Sequence, residues 1–210
     1  MLPGYWKIVC RLGNSLKQKM IGLREFKIPM LDMRQAQQIL KAAELIHSER
    51  IVKKTIQNLA GDITRVLSNQ QPLVLCVMGG AVVFTGQLLP QLQFPLDFDY
   101  LHLTRYDKKM TGGEVHWLAE PKETMRDRVV LVLDDILDEG ITLAAIRDKV
   151  LENGAKAFYS AVLTEKETGK PKPFKADFVG LTVPDRYVFG FGMDIHGLWR
   201  NLPAIYAVKD

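Results

Sequence analysis

An apolar run that leads into paired acids, at residues 129–142, constrains the fold of this chain more than any other segment. It reads VVLVLDDILDEGIT. The first five residues are long enough for a strand buried on both faces, as in a parallel sheet. Asp134 and Asp135 follow directly, and apolar residues then recur at helical spacing over 143–150, up to a stop at Asn153-Gly154. The segment therefore predicts a strand, a turn and a helix, with two acids where the strand ends.

The predicted turn has the chemistry of a phosphate site. The backbone N–H groups of residues 138–142 would lie at a helix N-terminus, where unpaired donors and the helix dipole attract an anion. The neighbouring carboxylates suit ribose hydroxyls and a magnesium ion. A surface turn rich in Asp for solubility is the alternative, but paired acids at the carboxyl end of a strand mark the ligand edge of open α/β sheets.

This segment resembles the phosphoribosyl-pyrophosphate (PRPP) binding motif of the type I phosphoribosyltransferases, in which a hydrophobic strand runs into two acids and a short phosphate loop. The resemblance implies a PRPP site with the following members: Asp134, Asp135, Asp138, Glu139, Gly140, Ile141 and Thr142. It also implies that Asp138 faces purine N7 as the general acid or base of catalysis. Mg²⁺, the implied cofactor, would be held by Asp134, Asp135 and, from a later segment, Asp194.

One position departs from the family pattern. Phosphate loops of the family commonly carry Thr where this chain has Glu139. A carboxylate aimed at the 5′-phosphate of PRPP would repel it, so we expect the Glu139 side chain to point outward. Backbone amides and the Thr142 hydroxyl would then bind the phosphate.

A glycine pair follows an earlier apolar strand, in the segment VMGGA at residues 77–81. Small residues allow backbone amides to approach an anion closely, although a plain turn at the start of a helix explains the pair equally well. Placed before the acids, the segment resembles the pyrophosphate-binding loop of the same family, which implies contacts from Met78, Gly79 and Gly80. Family members commonly have Lys just before the glycines, so only the backbone contacts carry over to this chain.

A polar stretch follows the predicted strand that ends at Thr104-Arg105-Tyr106. Residues 107–114 have the composition of a mobile loop. The stretch resembles the flexible lid that closes over substrates in the 6-oxopurine members, with Arg105 where Ser is often found and Tyr106 as the aromatic partner. A hairpin between two ordinary strands is the alternative.

The C-terminal segment from Val183, which reads VPDRYVFGFGMDIHGLWRNLPAIYAV, closely resembles the hood of the hypoxanthine-guanine phosphoribosyltransferases. The resemblance implies the following roles by position: Tyr187 stacks on the purine, the Val188 backbone meets the ring edge, Asp194 holds a second Mg²⁺, Arg200 contacts pyrophosphate, and Lys166 donates to the purine O6. An aromatic face, a hard carboxylate and a cation suit these tasks. Taken singly, Tyr187 is more often a packing residue and Lys166 a solvated one, but their spacing relative to the PRPP motif favours the site.

Composition and charge set the broad class of the chain. Its 210 residues are 47% apolar, which is enough for one full core. Of the net charge of +4, residues 1–27 contribute +5, from six cations and one acid, so the remainder carries about −1. The basic character belongs to the N-terminus, which weakens the case for a nucleic-acid face on the folded body.

The N-terminus and the two cysteines bear on the cellular compartment of the protein. We expect residues 1–31 to be a loosely ordered basic extension, because they lack the long apolar core of a secretory signal; an organellar transit peptide is the alternative. Cys10 and Cys76 cannot make a disulfide framework, which fits a reducing cytoplasm. No apolar run approaches the length of a membrane span.

The remaining elements alternate between helix and strand. Asp32 and Gln35 predict the capping pair of a helix through Ile46, and Ser48 predicts the cap of a second helix. Four strands are predicted: Leu73–Met78, Phe98–Leu103, Val129–Leu133 and Phe158–Leu163. The order indicates an α/β fold, a parallel sheet flanked by helices, over residues 32–210. The N-terminal helical part and the segment of about 183–210 would form the hood, and the lysine-rich residues 166–175 an exposed loop.

The resemblance covers roughly residues 32–210 and implies purine salvage: PRPP and hypoxanthine or guanine give IMP or GMP and pyrophosphate. It also implies a homodimer or homotetramer without a nucleic-acid or membrane partner. A regulatory protein that uses the PRPP fold to sense nucleotides and bind nucleic acid is the alternative from another class, but residues 1–31 are too short for a winged helix. Among enzymes, a xanthine or adenine transferase is the rival. Lys166 argues against adenine, whose amino group offers it no acceptor.

Overall fold

A computed structural model describes residues 32–105 and 115–209 of the chain. The predicted basic extension, residues 1–31, and the predicted lid residue Tyr106 lie outside the described residues. The helices are α1 (Met33–Ala42), α2 (Glu49–Leu67), α3 (Val82–Leu88) and α4 (Ile141–Glu152), with a short 3₁₀ helix at Leu89–Gln91. The strands are β1 (Glu44–His47), β2 (Leu73–Met78), β3 (Asp97–Arg105), β4 (Val115–Ala119), β5 (Val129–Leu137), β6 (Ala157–Glu167), β7 (Phe178–Pro184), β8 (Val188–Phe189) and β9 (Ile205–Ala207).

The main sheet has six strands in the order β4-β3-β2-β5-β6-β7. Five of them are parallel, and β4 pairs antiparallel with β3 at one edge. The predicted α/β fold with a parallel sheet flanked by helices is therefore confirmed, with the correction that one edge strand runs the other way. Residues 107–114, which were predicted to be a mobile loop, lie outside the described residues; β3 and β4, which precede and follow them in the sequence, pair antiparallel.

Apolar side chains from the central strand β5 enter two separate cores. Val129, Leu131 and Leu133 belong to a cluster that includes α2, whereas Val130 and Val132 belong to a cluster that includes α4. All five side chains are buried. The sequence prediction of a strand covered on both faces is thus confirmed, and the alternation explains why every residue of the run is apolar.

Strand β5 does not stop at Leu133, as the sequence analysis expected. Its pairing with β2 ends at Cys76↔Leu133, but its pairing with β6 continues to Leu137↔Glu165. Asp134 and Asp135 therefore lie inside the strand, just past the point where β2 leaves it. The expectation was wrong because acids are poor strand formers by composition, and only the long-range pairing with β6 extends the strand through them.

The first helix also ends earlier than expected. Asp32 and Gln35 form the predicted capping box, with each side chain accepting a hydrogen bond from the other residue's backbone N–H group. The helix ends at Ala42, and Ile46 belongs to β1, so the helical prediction through Ile46 is wrong. Ser48 occupies the predicted N-cap position of α2, although its side chain makes no capping hydrogen bond.

A second sheet, in the order β1-β9-β8, joins the two ends of the described chain. Strand β9 pairs antiparallel with both neighbours. Arg186 donates to Glu44 at 2.8 Å, and the Trp199 indole N–H donates to the Ala36 carbonyl at 3.0 Å. These contacts bring together the N-terminal helical part and the C-terminal segment that the sequence analysis assigned to the hood.

We predict opposite effects on stability for two glycine substitutions. Gly180 lies where β7 packs on α2, whereas Gly61 lies on a part of α2 with open space around it. A Cβ at Gly180 would lie 2.6 Å from the Leu163 carbonyl oxygen and 2.7 Å from Thr55 Cγ2, so Gly180→Ala should lower the free energy of unfolding by roughly 1–3 kcal/mol. Gly61 lies in α2 with open space around it, so Gly61→Ala should raise that free energy by about 0.5–1 kcal/mol. Urea denaturation measures both. Equal effects of the two variants would contradict the close packing at Gly180.

Candidate active site

Two adjoining cavities lie at the carboxyl edge of the main sheet. The larger has a volume of about 390 Å³ and the smaller about 230 Å³. Five residues line both cavities: Asp135, Ile136, Asp138, Asp194 and Arg200. The remaining residues of the larger one are Val77, Met78, Gly79, Gly80, His102, Leu103, Thr104, Asp134, Leu137, Glu139, Gly140, Thr142 and Leu143, and those of the smaller one are Lys166, Tyr187, Val188 and Met193. The predicted site residues from four distant segments therefore meet at one edge of the sheet.

The two acids of β5 are buried at the base of the larger cavity. Asp134 is 7% and Asp135 8% exposed, and the Asp135 backbone N–H donates to Asp134 Oδ1 at 3.0 Å. Burial raises the pKa of Asp134 well above its ordinary value, and the charge of Asp135 adds to the rise. Burial also raises the pKa of Asp135, although its hydrogen bond with Asp134 and the charge of Arg200 oppose the rise. Two buried like charges are costly unless a cation joins them.

The donor set at this edge fits a magnesium ion. Within residues 32–105 and 115–209, no three His, Cys, Asp or Glu side chains come together as a complete metal cluster. Magnesium does not require one, because it usually binds one or two carboxylates together with substrate phosphates and water. The buried pair Asp134 and Asp135 offers such hard oxygen ligands.

The predicted phosphate loop forms the turn between β5 and α4. Gly140 occupies the N-cap of α4 with φ of 82°, a conformation that favours glycine. Asp138, Glu139, Gly140 and Thr142 line the larger cavity. Of the loop residues 138–142, Ile141 alone does not line the cavity, so its predicted part in phosphate binding stays a prediction. Glu139 is exposed and also lines the cavity, so its outward orientation stays a prediction.

Asp138 and Lys166 form an ion pair where the two cavities meet. Lys166 Nζ lies 2.7 Å from Asp138 Oδ2. The lysine side chain is only 14% exposed and the aspartate 45%. The family resemblance implies that these residues contact neighbouring atoms of one base, and the structure brings them together although 28 positions separate them.

The hood residues close the smaller cavity from the other side. Tyr187 is 55% exposed, and partial burial of its hydroxyl together with the charge of Asp194 raises its pKa. Arg200 pairs with Asp194 Oδ1 at 2.6 Å and donates to the Gly192 carbonyl at 2.6 Å. The other Asp194 oxygen accepts from the Gly197 N–H at 2.7 Å. Each oxygen of Asp194 thus has one protein partner, and each keeps a second lone pair for a further ligand.

The glycine pair after β2 is packed tightly between these elements. A Cβ at Gly80 would overlap the Asp135 carboxylate, and a Cβ at Gly192 would overlap the Gly80 carbonyl oxygen. Met78, Gly79 and Gly80 all line the larger cavity, and their contacts with pyrophosphate stay a prediction. No side chain larger than hydrogen fits at Gly80 or Gly192 without displacing a neighbour.

Several cavity residues escaped the sequence analysis. His102 and Thr104 line the larger cavity from the end of β3, and Ile136 lines both cavities. The buried Thr164 hydroxyl donates to the Asp135 carbonyl at 2.9 Å and so holds the acid-bearing strand. The rule that carboxyl ends of parallel strands meet at one edge could have found His102 and Thr104, but nothing in the sequence distinguishes Thr164 from any polar strand residue.

Two further expectations concern the predicted lid and membrane spans. Arg105 ends β3, while its predicted lid partner Tyr106 lies outside the described residues, so the lid stays a prediction. Among the helices that the structure describes, none combines the length and the apolar composition needed to cross a membrane.

Comparison with known proteins finds one family. Residues 42–196 match the family model of the phosphoribosyl transferase domain. The hypoxanthine-guanine phosphoribosyltransferase of Bacillus subtilis (strain 168) is 30% identical over 167 residues, which cover 79% of this chain and 93% of that protein. The hypoxanthine-guanine-xanthine phosphoribosyltransferase of Tritrichomonas foetus is also 30% identical over 167 residues, covering 79% and 91%. A solved structure of a hypoxanthine-guanine-xanthine phosphoribosyltransferase has a TM-score of 0.72 at 29% identity, covering 80% of this chain and 97% of that one.

We predict that neutralising one buried acid stabilises the fold at neutral pH. Asp134→Asn keeps the acceptor for the Asp135 N–H but removes one of two buried charges, so the free energy of unfolding at pH 7 without divalent cations should rise by roughly 1 kcal/mol or more. Because the folded-state pKa values are raised, the wild type regains this stability as pH falls, and the difference should shrink toward pH of about 4. Urea titrations at several pH values measure it.

The control is Asp148→Asn, which removes an exposed ion pair with Arg147 on α4. Its effect should stay within about 0.5 kcal/mol at every pH. An Asp134→Asn variant that is less stable than the wild type at pH 7 would contradict the account of the buried pair.

Proposed function

The chain belongs to the phosphoribosyltransferase family, and we propose that it is a purine-salvage enzyme that transfers the 5-phosphoribosyl group of PRPP to N9 of hypoxanthine or guanine. The products are IMP or GMP and pyrophosphate. The relatives named for these bases support the proposal, because they align over most of their own length.

The observation that carries the choice of base is the contact between Asp138 and Lys166. One edge of a 6-oxopurine presents O6 beside N7. A cation and a carboxylate 2.7 Å apart match that edge, since Lys166 donates to O6 while Asp138 accepts the proton of N7. Adenine carries an amino group at the same position and offers Lys166 no acceptor, so the pair selects against it.

The larger cavity would hold PRPP. Its 5′-phosphate would bind the turn at the N-terminus of α4, where Thr142 adds a hydroxyl to the backbone donors. The ribose hydroxyls would lie near Asp134 and Asp135. The pyrophosphate group would bind the backbone of the glycine pair and the Arg200 guanidinium, whose planar fork suits phosphate oxygens.

The transfer then needs a leaving group that can carry negative charge. Bond breaking at the ribose C1′ develops an oxocarbenium-like state, as in glycoside chemistry. The base N9 forms the new bond to C1′, pyrophosphate departs, and Asp138 takes the proton from N7. Asp134, Asp135 and Asp194 would hold Mg²⁺, whose charge, when bound, neutralises the departing pyrophosphate. The predicted lid, with Arg105 and Tyr106, would exclude water from this step.

Tyr187 and Val188 complete the base site in this proposal. The exposed Tyr187 ring lies at the mouth of the smaller cavity and offers a face for stacking. The buried Val188 belongs to β8, so its backbone is fixed where the ring edge would lie. We further expect a homodimer or homotetramer in the cytoplasm with no nucleic-acid partner, as the family resemblance implies.

The direct test is a nucleotide-formation assay. The protein is incubated with PRPP, Mg²⁺ and one base at a time: hypoxanthine, guanine, xanthine or adenine. We expect IMP and GMP from the first two and little product from adenine. If no 6-oxopurine yields a nucleotide, the proposed function is wrong.

We predict that Asp138→Asn lowers turnover by roughly 100-fold or more while PRPP affinity changes little, because the amide cannot accept the N7 proton. Single-turnover measurements are needed so that slow product release does not mask the effect. Asp148→Asn, on the surface of α4, is the matched control and should turn over like the wild type. Near-normal chemistry in Asp138→Asn would remove this residue from the mechanism.

A second prediction concerns base selection. Lys166→Met keeps the side-chain length but removes the donor, so kcat/KM for hypoxanthine and guanine should fall and discrimination against adenine should weaken, by roughly 10-fold or more. Lys170→Met, in the exposed part of the same segment, is the control. Unchanged ratios among the three bases would show that Lys166 does not contact O6.

A further inference from the structure

The lysine-rich segment after β6 is not simply an exposed loop, as its composition predicted. Lys172 is only 11% exposed. Its ammonium group donates to the Lys166 carbonyl at 2.6 Å, to the Leu137 carbonyl at 3.1 Å and to Glu165 Oε1 at 3.1 Å. All three N–H donors of one buried lysine are therefore used.

The two carbonyls belong to the strand ends that carry the base site. Leu137 directly precedes Asp138, and Lys166 is itself the partner of Asp138. The pairing of β5 with β6 ends at Leu137↔Glu165, so the Lys172 ammonium joins the two strands at the point where their own ladder stops. The ammonium group therefore links β5 and β6 next to their last paired residues.

This placement is costly, which argues against an accidental contact. A lysine charge taken out of water must be hydrogen-bonded and neutralised, and the Glu165 carboxylate supplies the counter-charge. The same segment packs on the catalytic turn from outside: the Cβ position of Gly140 would lie 3.3 Å from Phe174 Cβ and 3.5 Å from Lys172 Cβ. The buried Phe174 thus covers the turn while Lys172 ties the strand ends.

We propose that Lys172 is a positioning residue for the transfer reaction: it holds the ends of β5 and β6 so that Asp138 and Lys166 meet the N7 and O6 atoms of one base. The inference rests on the proposed function. Lys172 contacts neither substrate in this account and acts through the backbone of the two residues that do.

A purely structural lysine would behave differently from a positioning one. Loss of a structural contact lowers the free energy of unfolding but leaves the kinetics of the folded enzyme unchanged. Loss of a positioning contact misplaces the reacting groups, and a shift of about 1 Å at an active site can cost roughly 100-fold in rate. The base site should suffer more than the PRPP site, because the phosphate loop keeps its own backbone contacts.

The test compares Lys172→Met with Lys175→Met, an exposed lysine of the same segment. We expect Lys172→Met to lower kcat/KM for hypoxanthine by roughly 10- to 100-fold, with KM for PRPP changed by less than about threefold. Lys175→Met should match the wild type. Lys172→Arg keeps the charge and several donors, so it should recover part of the loss. Thermal unfolding of each variant confirms that the folded enzyme is being assayed.

A double-mutant cycle with Lys166→Met separates the two roles. If Lys172 acts through Lys166 and Asp138, its substitution should cost much less in the Lys166→Met background than in the wild type. Additive losses overturn the inference. Should Lys172→Met fail to fold, Lys172→Gln, which keeps a hydrogen-bond donor, takes its place under the same criteria.

The outcomes also separate this inference from the proposed function. A wild type that forms no nucleotide overturns both. An active wild type whose Lys172 variants keep normal kcat/KM overturns the positioning role alone.

Discussion

The extra length of pairing between β5 and β6 is the constraint on which the rest of the site depends. Beyond Leu133, β5 no longer pairs with β2 but still pairs with β6. The chain therefore stays extended through Asp134 and Asp135, and the edge that β2 no longer covers borders the cavity. The buried Thr164 hydroxyl holds the same stretch from β6. Because of this extra pairing, Asp134 and Asp135 stay within a strand, are buried, and both line the larger cavity.

Two ion pairs lie within the site. Asp138 pairs with Lys166, and Asp194 pairs with Arg200. In the proposed function, each pair would offer one group to the base or to the phosphates. A ligand that satisfied only one member would leave the other without a partner, which is a general way in which a site rejects close analogues. Burial raises the pKa values of Asp134 and Asp135, and the charge of Arg200 opposes the rise at Asp135.

Sequence patterns predicted those structural elements that depend on residues close together in the chain. The apolar run of β5, the helix after it and the capping box at Asp32 follow from short-range spacing, and all three are present. The end of β5, the short strands β8 and β9 and the reversed edge strand β4 depend on partners far along the chain, which no local pattern encodes. The same limit applies to the side chain of Lys172. Its neighbours in the sequence are lysines and prolines, which predict a solvated side chain, and the two carbonyls that it contacts come from residues brought close by the fold.

The close approach of Gly192 to the Gly80 carbonyl has a consequence for the distance between the hood and the glycine loop. Two backbones in direct contact leave no layer of side chains to absorb movement. A side chain at Gly192 would displace the Gly80 carbonyl, and a side chain at Gly80 would displace the Asp135 carboxylate. Two glycines, rather than any charged residue, therefore set how closely the hood can approach the loop and the acid-bearing strand.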